Sequence, residues 1–170
     1  SDRDEKDQAR AALYQLPGKD VDTAICEKIA SAPSGANAGV IAELIKAAAE
    51  RPIPSACDIL IKAVRSENST ISDESIRALQ TLATPEQMDD LVQLLIETPN
   101  SATEKMMIVV GSRVQDQNRR AQGILAVYDS TTNEDSKVSM LHVMGKLGDK
   151  NSVPLMRAEL SSSNPAIKAA

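Results

Sequence analysis

Apolar residues recur along this chain at one spacing. Ile76, Leu79 and Ala83 lie three and four residues apart, which lines one face of a helix. After a breaker at Thr84-Pro85, Met88, Leu91, Val92 and Leu95 repeat the pattern. Pro85 suits a first helical turn, where a missing N–H leaves no bond unmade. Ile53, Ala56, Cys57, Leu60 and Val64 form a similar stripe, which puts Cys57 on a buried side. Ser72, followed by Ser75 and Ile76, reads as a helix start.

The pattern itself repeats. The stretches ARAALYQLPGKDVDTAI, SIRALQTLATPEQMDDL and MLHVMGKLGDKNSVPLM each run a helical pattern to a leucine. Each then crosses a short breaker and starts a second helix. The leucines are Leu16, Leu82 and Leu147, and Ala49 and Val114 end helical patterns midway between them. The period is therefore about 33 residues, a length typical of repeat proteins. Breakers recur at Pro17-Gly18, at residues 51–54 and at residues 148–151. A lone helix pair cannot bury its apolar faces, whereas stacked pairs cover one another. The expected fold is all-α: a right-handed α-solenoid of about five antiparallel helix pairs in a single domain, residues 1–170. Its units span about 4–33, 35–67, 70–99, 101–131 and 134–163, with 164–170 opening a further unit. A polar junction from Gln115 to Arg120 and two glycines interrupt the fourth unit.

Composition narrows this picture. There are two tyrosines and neither Phe nor Trp, so the core must be built from Leu, Ile, Val, Met and Ala, which suits packed helices. The net charge of -5 argues against a general nucleic-acid binder, which needs a basic face. No apolar run reaches the roughly 18 residues of a membrane span, so a soluble protein without a membrane span is expected. Cys26 and Cys57 are too few for a disulfide framework and read as small buried hydrophobes.

The last unit carries a family pattern. Leu147-Gly148-Asp149 is followed by Val153-Pro154-Leu155-Met156 and Leu160, then by Asn164-Pro165, Ile167-Lys168 and Ala169-Ala170. This resembles the HEAT-repeat family, in particular the short HEAT-like repeats of bacterial proteins. The resemblance implies a superhelix whose second helices line a concave face. Residues 164–170 read as the first helix of a sixth unit, so the chain is expected to be a piece of something longer, its array either continuing or cut there. Some HEAT-like repeats belong to lyases that handle bilin pigments, so it also opens an enzymatic alternative.

Candidate chemistry is sparse. His142 is the only histidine, and it reads as a helix-surface or inter-repeat residue. The carboxylate pairs Asp20 and Asp22, Asp89 and Asp90, and Glu134 and Asp135 read as solvated, the last also favouring a helix start. Arg113, Arg119 and Arg120 form a small basic cluster that reads as a solvated loop, with contact to a phosphate or an acidic partner as the alternative. Neither a phosphate-binding glycine loop nor a metal motif is present. The expectation is a chain without catalytic, cofactor or metal residues.

The polar sides of the second helices remain. Asp58, Lys62 and Arg65 share one stripe, and Glu86, Asp90, Gln93 and Glu97 share another. Asp20, Thr23, Glu27 and Arg157 extend the series, and Tyr14 and Tyr128 are the only aromatic candidates. A protein or peptide partner on the concave face is expected, and not nucleic acid. The expected role is a non-catalytic protein-interaction or scaffolding repeat domain of a larger protein. The alternatives are an accessory domain of an enzyme whose catalytic part lies elsewhere, or a bilin-lyase-like enzyme.

Overall fold

A computed structural model describes residues 2–16, 18–32 and 37–170. It is all-α, and the described residues contain no strand. Pro17 of the first breaker, and the boundary between the first two expected repeats, lie outside the described residues. The chain divides into two compact units, Ser1–Ala83 and Thr84–Ala170. The first holds α1 (Asp2–Gln15), α2 (Lys19–Ala30), α3 (Ala38–Glu50), α4 (Cys57–Ala63) and α5 (Ser69–Leu82). The second holds α6 (Met88–Glu97), α7 (Ser101–Gly111), α8 (Gln122–Val127), α9 (Glu134–Leu147), α10 (Val153–Glu159) and α11 (Pro165–Ala169).

Two local devices recur. A 3-10 turn leads into each of α4, α6, α8 and α10, at Pro54–Ala56, Pro85–Gln87, Gln117–Arg119 and Lys150–Ser152. An asparagine caps each of α3, α5, α7, α9 and α11: Asn37, Asn68, Asn100, Asn133 and Asn164. Each asparagine side chain accepts a backbone N–H from the first turn, satisfying a donor that the helix itself leaves unpaired. Ser72 is therefore not the start of its helix. α5 begins three residues earlier, because Asn68 takes the N–H groups of Thr70 and Ile71. Ser72 instead donates its hydroxyl to the Val64 carbonyl at 2.8 Å. At the Thr84-Pro85 breaker, Thr84 Oγ1 accepts from the Glu86 N–H while Gln87 Oε1 accepts from the Thr84 N–H, a reciprocal cap.

In the first unit the stripe of Ile53, Ala56, Cys57, Leu60 and Val64 is buried, together with Ile45, Ile76, Leu79 and Ala83. α1 buries none of its described residues fully, and charge secures it instead. Arg10 bonds Glu43 and Glu50 of α3 and Asp7 of its own helix. Arg51, at the end of α3, pairs with Asp22 and donates to the carbonyls of Leu13, Tyr14 and Leu16. Those carbonyls are orphans of the α1 C-terminus, where a cation is also favoured by the helix dipole.

In the second unit Leu91, Val92 and Leu95 are buried as the stripe requires, with Leu94, Met106, Met107, Met140 and Met144. Helices α7 and α9 come close at Gly111, where a Cβ would lie 2.9 Å from Leu147 Cδ2. α9 ends at Gly148 with φ 65°, a left-handed conformation that glycine adopts without steric cost. The Asp149 that follows is almost fully buried. Its Oδ1 accepts from the Asn151 N–H at 2.8 Å, and its Oδ2 from the Ala121 N–H at the head of α8 at 2.9 Å. Gln117 Nε2 donates to the Gly148 carbonyl and Asn151 Nδ2 to the Asn118 carbonyl, completing a ladder between the two 3-10 turns.

Two side chains, Leu16 and Tyr128, differ from expectation. Leu16 lies just past the end of α1 and is half exposed, so it is no core anchor. Tyr14, one of the two aromatic contact candidates, is exposed. Tyr128, an aromatic contact candidate, is fully buried, with the Lys137 ammonium 4.9 Å from its ring centroid. The α8 register turns it inward, where it is the largest side chain in the core.

Candidate functional site

The polar stripes of the second helices face solvent. Asp58 and Lys62 of α4 and Arg65 just beyond it are exposed, opposite buried Leu60 and Ile61. Arg65 Nη1 donates to the Ile61 carbonyl at 3.0 Å, so its side chain folds back along the helix end. In the second unit Glu86, Asp90, Gln93 and Glu97 are exposed, opposite buried Leu91, Leu94 and Leu95. Asp20, Thr23 and Glu27 of α2 and Arg157 of α10 are exposed as well.

A cleft of about 430 Å³ opens between α6 and the segment that leads into α8. Met88 and Val114 supply apolar surface, and Arg119 and Arg120 supply charge. Both guanidinium groups are oriented by their Nε atoms, Arg119 donating to Gln122 Oε1 at 3.0 Å and Arg120 to the Val114 carbonyl at 3.1 Å. Asp89 also lines the cleft, over Gly123, where an added Cβ would lie 3.5 Å from Asp89 Oδ1. Sequence reasoning noted Arg119 and Arg120 as a cluster but missed the cleft, because its walls come from segments about 30 residues apart.

His142 meets Glu104 of α7, with Nδ1 3.5 Å from Oε1. Ser139 Oγ donates to that same oxygen at 2.7 Å. A catalytic serine must bond the imidazole, which takes its proton. Here the serine bonds the carboxylate and is itself buried, so the three groups tie α7 to α9. A signal for this cluster was present in the i, i+3 spacing of Ser139 and His142, but Glu104 lies far back in sequence.

The ionisable groups that depart from ordinary behaviour serve packing. Burial, then the hydrogen bonds from Lys46 and Arg10, act oppositely on Glu43, and the cations win, holding its carboxyl below the usual range. Burial works against the charge of Arg10, but Glu43 and Glu50 outweigh it and hold the guanidinium more firmly protonated. Burial, and then the charge of Asp58, push the Cys57 thiol up, away from the reactive thiolate. Cys26 and Cys57 are both buried and free. Burial, then the charge of nearby Glu159, raise the Tyr128 phenol, whose hydroxyl lies close to that carboxylate without reaching good hydrogen-bond geometry. Among the described residues no group of His, Cys, Asp or Glu converges to hold a metal ion, and no helix is long and apolar enough to cross a membrane.

Compared with known proteins, the chain matches no family model, no curated protein and no solved structure.

Proposed function

We propose that this chain is a non-catalytic protein-interaction or scaffolding repeat domain, a right-handed α-solenoid of HEAT-like helix pairs. The observation that carries the reading is the periodic pair of devices. Asparagine caps stand at 37, 68, 100, 133 and 164, and two of the 3-10-led second helices, α4 and α6, turn charged stripes to solvent. Repetition at about 30 residues is how stacked helix pairs are specified. Exposed polar stripes of this length suit a partner protein better than a small molecule. The engagement of His142 and Ser139 with Glu104 supports a structural role for the groups most suited to catalysis.

The test compares three baits in quantitative affinity enrichment from the source cells: the chain itself, an α4 variant (Asp58→Lys, Lys62→Glu) and an α6 variant (Glu86→Lys, Asp90→Lys). Circular dichroism first verifies that both variants keep their helix content. A partner retained by the chain and lost at least about tenfold by one variant, roughly 1.4 kcal/mol of binding, is the expected result. Identical protein sets on all three baits would contradict the reading.

A further inference from the structure

The α6–α8 cleft combines features that the exposed stripes lack. It is concave, and its Met88 and Val114 surfaces are apolar. Its two guanidinium groups come from adjacent residues, and each is oriented through its Nε by a bond within the second unit. Among the described residues neither forms an ion pair with a carboxylate, although Arg10, Arg51 and Arg77 all do. Each therefore keeps terminal N–H groups that can take a carboxylate in the fork geometry peculiar to arginine.

We infer that this cleft binds an extended segment of a partner protein that places an Asp or Glu carboxylate beside an aliphatic side chain. The inference rests on the protein-interaction reading and gives it a site and a recognition chemistry. The carboxylate meets Arg119 and Arg120, and the aliphatic group covers Met88 and Val114. The segment's backbone N–H groups, or a lysine on it, meet Asp89 on the opposite wall. That acidic wall is the reason for a peptide rather than a nucleic acid. A phosphate backbone would bring charge against Asp89 and against a chain of net charge -5. A peptide can satisfy both signs at once, and arginine is favoured at the centres of such contacts.

The test pans a random dodecapeptide display library against the folded chain, then titrates the enriched peptides, labelled with fluorescein, by fluorescence polarisation. Two variants act on the cleft in different ways. Arg119→Glu reverses a charge on an exposed side chain, and Ala126→Phe fills the cleft without changing charge. Lys105→Glu, exposed on α7, is the charge control. The expected result is enrichment of Asp or Glu next to Val, Ile or Leu. Binding should weaken about tenfold or more with Arg119→Glu and with Ala126→Phe, and stay unchanged with Lys105→Glu. Selected peptides indifferent to both cleft variants would overturn the site while leaving the protein-interaction reading in place. A library that yields no binder would overturn both. A single-stranded RNA oligomer that binds the chain and is released by Arg119→Glu would overturn the peptide assignment in favour of nucleic acid.

Discussion

In the first unit, helices are joined by ions: Arg10 reaches Glu43 and Glu50, and Arg51 reaches Asp22 and three carbonyls of α1. In the second they are joined mainly through backbone groups. Asp149 holds the Ala121 N–H, Ser136 donates to the Ile96 carbonyl at 2.7 Å, and Gln117 and Asn151 link the two 3-10 turns. The cores differ in the same sense. Of the largest fully buried side chains, the first unit holds Ile45, Leu60 and Leu79; the rest, including four methionines and Tyr128, lie in the second. Where apolar burial is thin, as on α1, long cationic side chains cover the distance and cap the helix end. Where burial is deep, short side chains complete backbone groups that the core has already positioned.

The largest test of this contrast is Leu91→Asp. It puts an unpaired charge where the side chain is wholly excluded from water. The second unit should lose about 4 kcal/mol or more, read as loss of its thermal transition. An unchanged melting temperature would mean that the buried face of α6 is wrongly assigned. Next comes Asp149→Ala, which leaves the Ala121 N–H without its acceptor. It should cost about 2–3 kcal/mol in urea unfolding, with Asp149→Asn recovering part of this. Arg51→Met removes the α1 clamp but keeps much of its apolar stem, and should cost about 1–2 kcal/mol, concentrated in α1.

Smaller effects sharpen the comparison. The carboxyl of Glu43 titrates lower in the fold than in the unfolded chain, so its contribution is complete above the ordinary value near 4.5. That contribution is lost as pH falls through the lower, folded value. Replacing Glu43 by Gln should therefore flatten the acid dependence of α1 and α3 protection below about pH 5, as read by hydrogen exchange. An equally steep profile would remove Glu43 from the account. Tyr128→Phe should be the mildest change. It deletes a buried hydroxyl that lacks a well-formed hydrogen bond and sits beside the Glu159 carboxylate, so stability should stay level or rise by up to about 1 kcal/mol. A clear loss would reveal a partner for that hydroxyl.

Much of the helical pattern was legible because its causes are local. The stripes through Ile53–Val64 and Met88–Leu95 are three-and-four spacings, and Thr84-Pro85 carries its own cap. The asparagine series at 37, 68, 100, 133 and 164 was equally present, yet it escaped a reading phased on leucines. An asparagine in a loop is as common as one at a cap, and only the shared interval separates them. Asn68 shows the consequence, since Ser72 offered an equally acceptable start. Arg51 was illegible for another reason: its partners lie 29 to 38 residues away, and nothing local marks them. The candidate surface divides in the same way. The solvent-facing stripes follow from periodicity, whereas the α6–α8 cleft needs two segments brought together, and Tyr128 turned inward by a register that six residues of α8 do not declare.

The most direct measurement of the contrast is hydrogen exchange, helix by helix, at low ionic strength and in 1 M salt, where the screening length falls to about 3 Å. The account predicts that α1 and the C-terminal turn of α3 lose protection severalfold as their ion pairs are screened, while α7 and α9 keep theirs. Equal loss in both units, or none in α1, would contradict it.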